Sequence, residues 1–317
     1  MNRSHVRAVF LNPVPAYSTA YSNCSAYSTA FYVLMSKNKV GGDMMCLIHS
    51  PFNILQVANY MIFCVFNTDL PEEYQMNFKR RGSALIFNHE YFFWMLRLKA
   101  RTGTATDKRN LTERFTELGF NVESYDNLNE NDMMDKIRQA AEADHTDSDC
   151  FVCVFLSHGR DGHIFASDKM VNIKEITDLF RRAECRSLVG KPKIFIFQAC
   201  RGDITDDPVT PTAGEDEEIE EVEEDTAMVY TLPAGADFLM CYSVAEGFAA
   251  FRHTKLGSAY IQDLCETLKH QGSTLEFTEL LTLVNLKVSR RTHNNRKQMP
   301  CFTSMLTKKL YFRPKEE

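Results

Sequence analysis

The chain has 317 residues, of which 44% are apolar, and a formal net charge of −6, which predicts a globular protein with a full hydrophobic core and counts against a disordered or fibrous chain. Nine acidic residues between Glu215 and Asp225 account for the acidity, and without them the remainder carries +3, so composition indicates no nucleic-acid-binding surface. The ten cysteines are sparse, several lie in apolar runs, and no cleavable signal peptide is evident, which favours a reducing cytoplasm over a secreted, disulfide-held fold.

Residues 1–70 differ in composition from the rest of the chain. Residues 16–21 return with one change as residues 26–31, and this near-repeat predicts a low-complexity, disordered leader. Residues 44–66 are apolar enough to suggest a membrane span, but they include His49, Pro51, Asn53, Gln56 and Asn59. So many polar groups favour a poorly structured or amphipathic surface segment over a spanning helix.

From residue 83 onward, short apolar runs alternate with segments of helical periodicity, which predicts an α/β sandwich with a largely parallel sheet. Strands are predicted at residues 84–87, 120–125, 151–156, 193–197 and 238–243. Helices are predicted at residues 131–143, 173–182, 257–270 and 275–288. A further helix is expected to begin with Asp107 as its N-cap and to end at Gly119. The acidic stretch has no apolar periodicity and is predicted to be a solvated loop.

A cysteine and a histidine each follow a predicted buried strand. Cys200 lies in the sequence Gln-Ala-Cys-Arg-Gly after one strand, and His158 lies in Ser-His-Gly after another. Taken singly, such a cysteine is usually inert packing and such a histidine is usually a turn residue. Because the carboxyl ends of parallel strands meet at one edge of a sheet, the two together predict a thiol and an imidazole paired for nucleophilic catalysis.

These two motifs resemble those of the effector caspases, and the resemblance extends from about residue 74 to residue 312. It implies a caspase-like three-layer sandwich, with a central, mostly parallel sheet of about six strands per protomer and helices on both faces. It also implies Cys200 as the nucleophile and His158 as the base, with the amides of Gly159 and Cys200 as oxyanion donors. The carbonyl of Lys99 is expected to orient His158.

The resemblance assigns Arg101, Gln198 and Arg252 to a pocket for the aspartate that precedes the cleaved bond, and a guanidinium fork suits a carboxylate. Either arginine could otherwise be an ordinary surface charge. Where effector caspases carry a large aromatic residue, a serine and a tryptophan, this chain has Ala249, Ala250 and Phe251. His253 and Ala259 are expected to line the distal pocket in place of an asparagine and a tryptophan. These departures predict strict aspartate at the cleaved position and a looser preference upstream.

The family pattern divides the chain into a leader (1–70), a large subunit (71–205), an acidic linker (206–229) and a small subunit (230–317). Asp225, which follows Val-Glu-Glu and precedes Thr226, is the first candidate processing site, and Asp206 is the second. Pro208 makes Asp207 a weaker candidate. A merely solubilising charge run is the alternative interpretation of this stretch.

The sequence therefore predicts an aspartate-directed cysteine endopeptidase of apoptosis, made as a zymogen and active as a homodimer of processed chains that pair through residues 301–306. Expected partners are protein substrates, inhibitor-of-apoptosis proteins and upstream initiator caspases, with no nucleic acid and no membrane. No cofactor or metal is expected, because Cys150 and Cys153 lie three apart on a strand and face opposite ways.

Two alternative functions remain. One is a catalytically silent homologue that acts as a decoy or dimer partner. The other is a related protease that cuts after basic residues, which two arginines in the pocket would disfavour.

Overall fold

The computed structural model divides into two compact units, residues 1–70 and 71–317. It describes residues 30–37, 43–50, 72–160, 162–181, 183–202, 235–293 and 295–315. The acidic stretch and the candidate processing sites Asp206 and Asp225 lie outside the described residues.

In the first unit, strand β1 (Ala30–Lys37) pairs antiparallel with strand β2 (Asp43–Ser50). This pairing differs from the expectation that the leader is disordered. Residues 51–66, the larger part of the apolar segment at residues 44–66, lie outside the described part of the chain. Within the described part, no helix combines the length and the apolar character that crossing a membrane requires.

The second unit is an α/β fold whose elements alternate along the chain as predicted. They are β3 (Ser83–Asn88), α1 (Thr104–Glu117), β4 (Asn121–Asp126), α2 (Glu130–Glu142), β5 (Phe151–Leu156), β6 (Gly159–Arg160), β7 (His163–Phe165), β8 (Met170–Asn172), α3 (Ile173–Leu179), β9 (Lys193–Gln198), β10 (Phe238–Tyr242), β11 (Arg252–His253), β12 (Gly257–Ser258), α4 (Ala259–Gln271), α5 (Phe277–Arg290) and β13 (Cys301–Ser304). The described residues of this unit also form two 3-10 helices, Trp94–Leu96 and Ala183–Leu188.

Six of these strands form the central sheet in the order β13-β10-β9-β5-β3-β4, and every neighbouring pair is parallel except β10 with β13. The central strands β5 and β9 are buried at every position, which explains their continuous apolar sequences. Helices α1, α4 and α5 pack on one face, and α2 and α3 pack on the other. This confirms the predicted three-layer sandwich.

The two faces of the sheet separate Cys153, in β5, from Cys150, which directly precedes this strand. Cys150 belongs to the core beneath α1, α4 and α5, whereas Cys153 belongs to the opposite core. Their side chains therefore face opposite ways, as their spacing predicts.

Helix α1 differs from its prediction at the N-terminus. It begins at Thr104, and the residue before it, Gly103, has a φ of 94°. The assignment of Asp107 as the N-cap is therefore wrong. Asp107 lies in the first turn of the helix, where its carboxylate is buried against another segment. Helix α3 also ends earlier than predicted, at Leu179, and Phe180 turns into the core.

The register of β5 and β9 brings the two candidate catalytic residues to the same edge of the sheet. Leu156 pairs with Gln198 at the carboxyl ends of these strands, and the Ser157 amide donates to the Gln198 carbonyl at 3.2 Å. His158 and Cys200 each follow two residues after this pair. The parallel register thus places the imidazole and the thiol above adjacent strands.

Candidate active site

A pocket of about 290 Å³ opens above the carboxyl ends of β5 and β9. It brings together the predicted histidine and cysteine and the three residues predicted to recognise aspartate. Its lining consists of Arg101, Ser157, His158, Gln198, Ala199, Cys200, Ala250, Phe251 and Arg252. These residues come from four separate segments of the chain.

The His158 imidazole is held from two sides by the segment between β3 and α1. Its Nε2 donates to the Lys99 carbonyl at 2.8 Å, as expected from the resemblance, and this leaves Nδ1 free of its proton. The Phe92 ring lies 5.0 Å from the imidazole between centroids. Burial lowers the pKa of His158 below its ordinary value of 6.5, and the positive charges of Arg101 and Arg252 act in the same direction. The imidazole is therefore neutral at pH 7 and can accept a proton.

The Cys200 thiol is half-buried and faces the main chain of Ala250. The Ala250 amide donates to Sγ at 3.4 Å, and Sγ lies 3.9 Å from the Ala250 carbonyl oxygen. A substrate carbonyl approaching Sγ would therefore meet the segment that precedes β11.

Gly159 is a glycine because the backbone of the Cys200 segment passes directly over it. A Cβ at position 159 would lie 2.7 Å from the Cys200 carbonyl oxygen, 2.8 Å from the Ala199 Cβ and 3.0 Å from the His163 carbonyl oxygen. Any side chain would push the two segments apart. The close approach places the backbones of Gly159 and Cys200 against each other.

Arg101 is fully buried, with 1% of its surface exposed, and is only partly paired. Its Nη1 donates to the His89 carbonyl at 3.1 Å and to the Thr104 hydroxyl at 2.9 Å. Its Nη2 has no hydrogen-bond partner among the described residues. Burial, reinforced by the charge of Arg252, lowers the pKa of Arg101 to about 9. A buried, unpaired guanidinium nitrogen is costly unless a ligand completes it.

Arg252 and Gln198 complete the same pocket. Arg252 donates from Nε to the Thr102 carbonyl at 3.1 Å, and burial lowers its pKa. Gln198 is 2% exposed, and its Oε1 has no partner among the described residues. Rotation of its carboxamide by 180° would present Nε2 in place of Oε1. The three side chains therefore offer unused hydrogen-bonding capacity in a positively charged pocket.

Asp107 makes a long-range contact beside the pocket that its sequence position does not predict. This buried carboxylate accepts hydrogen bonds from the Ser258 amide at 2.8 Å and the Ser258 hydroxyl at 2.6 Å. It thereby ties α1 to β12, the partner strand of β11, which carries Arg252. Gly257 belongs to the same contact, because a Cβ there would lie 2.2 Å from Asp107 Oδ1. An aspartate three residues into a helix gives no sequence signal for a contact 151 positions away.

Phe251 lines the pocket, and Gln298, which sequence reasoning did not select, supports it. The Phe251 amide donates to Gln298 Oε1 at 2.8 Å, while Gln298 Nε2 donates to the Ser243 carbonyl at 2.6 Å. The Phe251 ring also stacks on His293, with centroids 5.4 Å apart. The segment between α5 and β13 thus holds one wall of the pocket.

His253 and Ala259, which were expected to line a distal pocket, are not among the residues that line this pocket. His253 is exposed, and its Nδ1 accepts from the amides of Lys255 and Leu256 in its own turn, at 3.1 and 3.2 Å. Ala259 is 1% exposed and begins α4 beneath β12, so the expectation that it lines a groove is wrong. The physical reason is that Ala259 already faces the core.

Comparison with known proteins places this chain in a family. Residues 81–311 match the family described as Caspase domain. The chain is 55% identical over 257 residues to Caspase-6 of Gallus gallus, which covers 77% of this chain and 84% of that protein. It is 39% identical over 251 residues to Caspase-3 of Mus musculus, covering 77% and 88%. The crystal structure of Caspase-1 from Spodoptera frugiperda matches with a TM-score of 0.70 at 37% identity, covering 78% of this chain and 95% of that one.

Proposed function

Because this chain belongs to the caspase family, it is a cysteine endopeptidase that cleaves after aspartate, and we propose that the pocket at the ends of β5 and β9 performs this reaction. The protein is an effector-type caspase of apoptosis, acts on protein substrates and forms dimers, as its family does.

One observation carries the assignment of the pocket to aspartate. The buried Nη2 of Arg101 lacks an acceptor among the described residues, and it lies in the same pocket as Cys200. A substrate carboxylate can accept from this nitrogen, and Arg252 adds a second positive charge. A lysine or arginine side chain in the pocket would instead meet two guanidinium groups, so the geometry disfavours cleavage after basic residues.

The reaction then proceeds from the thiol and the imidazole. His158 Nδ1 takes the proton of the Cys200 thiol, and Sγ forms a bond to the carbonyl carbon of the bound aspartate. The amides of Gly159 and Cys200 stabilise the oxyanion that develops on the carbonyl oxygen. The carbon–nitrogen bond breaks, and the leaving amine takes the proton from His158. Water hydrolyses the resulting thioester and restores the thiol, so the chemistry requires no cofactor or metal.

Processing follows from the same specificity. We assign residues 71–205 to a large subunit and residues 230–317 to a small subunit, joined by an acidic linker at residues 206–229. Cleavage after Asp225 or Asp206 would separate the subunits. An acidic stretch between the two parts of one catalytic pocket supports this role.

The proposed active form is a homodimer of processed chains. Strand β13 supports it, since β13 is the edge strand of the central sheet and its residues Thr303 and Ser304 are exposed. An edge of this kind can pair with the same edge of a second copy. Inhibitor-of-apoptosis proteins and upstream initiator caspases are the proposed partners, and the cytoplasm is the proposed location.

Mass spectrometry of the intact chain beside a Cys200→Ala variant tests the proposal. If the wild type alone yields fragments ending at Asp225 or Asp206, Cys200 is the nucleophile and aspartate is the cleaved residue. A matched Asp225→Ala variant locates the first cut. If both chains stay whole, and an added aspartate-directed protease converts neither into an active enzyme, the silent decoy or dimer partner replaces this proposal. The altered Ala249, Ala250 and Phe251 segment is the observation that favours that second candidate.

A further inference from the structure

Four large apolar side chains lie exposed within five consecutive positions beside the catalytic histidine. The exposed fractions are 62% for Tyr91, 51% for Phe93, 78% for Trp94 and 64% for Met95. We call these four residues the aromatic shelf. The other large apolar side chains that are exposed in the described part of the chain are separated in sequence. A dense exposed patch of this kind is typical of a contact surface.

The backbone of the aromatic shelf is fixed. Asn127 Oδ1 accepts from the amides of Glu90 and Tyr91 at 2.8 and 2.9 Å, and the Phe93 amide donates to the Ser167 carbonyl at 2.6 Å. Trp94 then begins a 3-10 turn. The apolar side chains are therefore held outward by a structured backbone, which lowers the entropy that a ligand must overcome on binding.

The aromatic shelf is continuous with the catalytic site through Phe92. This residue lies between Tyr91 and Phe93 in sequence, and its ring packs 5.0 Å from the His158 ring. The same segment continues to Lys99, whose carbonyl accepts from His158 Nε2. The segment that carries the aromatic shelf thus contacts the imidazole through the Phe92 ring and at Nε2, and not at Nδ1.

The position of the imidazole indicates what passes the shelf. His158 must protonate the leaving amine, so the part of the substrate that follows the cleaved bond departs along the histidine side of the pocket. We propose that the aromatic shelf binds apolar side chains of the polypeptide substrate on the C-terminal side of the cleaved aspartate. The proposal rests on the proposed function and adds a second recognition surface to it.

Three substrates that share one tetrapeptide ending in aspartate test the proposal. The first continues with Gly-Leu-Phe, the second continues with Gly-Ser-Gln, and the third has a fluorogenic amine directly after the aspartate. The variant is Phe93→Ser combined with Trp94→Ser. Val189→Ser is the matched control, because Val189 is 67% exposed in a different segment.

We expect the variant to lose about tenfold in kcat/KM on the Gly-Leu-Phe substrate, which corresponds to about 1.4 kcal/mol of lost apolar contact. For the other two substrates, kcat/KM of the variant should change less than twofold. Val189→Ser should leave kcat/KM unchanged on all three substrates. An equal loss on all three substrates, or no loss on the first, overturns the proposal. The fluorogenic substrate also separates the two levels of inference. If the wild type fails to cleave it, the proposed function fails, whereas cleavage with no effect of the variant refutes only the shelf.

Discussion

The carboxylate of Asp107 is bound by both the amide and the hydroxyl of Ser258, at 2.8 and 2.6 Å, across 151 positions of sequence. This contact joins the helix that follows Arg101 to the strand pair that carries Arg252. The carboxylate is also attracted to both arginines, although burial is the stronger influence and raises the pKa of Asp107 from 3.8 to about 6. One buried carboxylate therefore links the two halves of the pocket.

The raised pKa of Asp107 predicts a pH-dependent stability. Between about pH 4 and pH 6 the folded state binds this proton more tightly than the unfolded state, so the contribution of Asp107 to stability falls as the pH rises. Asp107→Asn does not titrate. Its free energy of unfolding relative to wild type should therefore rise by roughly 2.4 kcal/mol from pH 4 to pH 7.

Urea unfolding at four pH values between 4 and 7 measures this difference. The control is Asp135→Asn, because the Asp135 side chain is 60% exposed. A difference between Asp107→Asn and wild type that stays constant across this range would show that Asp107 titrates normally in the folded protein.

Gly159→Ala should abolish most of the activity while leaving the fold in place. The added Cβ would collide with the Cys200 carbonyl oxygen and the Ala199 Cβ, and these atoms cannot move as the end of a flexible side chain does. Displacing the catalytic backbone should reduce kcat/KM by about 100-fold or more. Circular dichroism and kinetics on the aspartyl fluorogenic substrate measure the two effects.

Gly162→Ala serves as the control for Gly159→Ala. Gly162 has a φ of 74°, but a Cβ there meets no atom within 4 Å. The Gly162→Ala variant should therefore lose about 1 kcal/mol of stability through backbone strain and keep its activity. Similar kcat/KM values for the two variants would refute the close-packing argument.

Arg101→Lys should weaken recognition of aspartate even though it keeps the positive charge. The guanidinium donates to the His89 carbonyl and the Thr104 hydroxyl while Nη2 stays available to the substrate. A lysine ammonium cannot occupy these positions together. We expect kcat/KM to fall by about 10- to 100-fold, since a hydrogen bond to a charged group is worth about 1.5–3 kcal/mol.

Steady-state kinetics on the aspartyl substrate measure the effect of Arg101→Lys. Arg109, which is exposed in helix α1 just after Arg101, gives the matched control Arg109→Lys. If Arg101→Lys and Arg109→Lys are equally active, Arg101 has no role in substrate recognition.

Phe92→Ala should move the acidic limb of the pH profile to higher pH. Phe92 covers the His158 ring, and burial is the main cause of the lowered pKa of His158. Exposure to water raises this pKa toward 6.5, so the neutral imidazole is lost at a higher pH. The pH dependence of kcat/KM on the fluorogenic substrate reports the change. Phe93→Ala is the control, and an unmoved limb in Phe92→Ala would mean that Phe92 does not desolvate the histidine.

The sequence by itself determined the layers and the chemistry of this protein. The apolar runs of β5 and β9 end two residues before His158 and Cys200, and strand periodicity together with the rule for parallel sheets is enough to bring the two together. The family motifs then selected Arg101, Gln198 and Arg252, which the structure gathers into one pocket.

Only the tertiary structure decided the contacts between distant segments. Nothing in the local pattern distinguishes Asp107 as a helix cap from Asp107 as the partner of Ser258, or predicts that Gln298 supports Phe251. The burial of Ala259 and the exposure of the aromatic shelf also escaped prediction. The physical reason is that sequence periodicity encodes which face of an element is apolar, whereas these features depend on which segments the folded chain brings against each other.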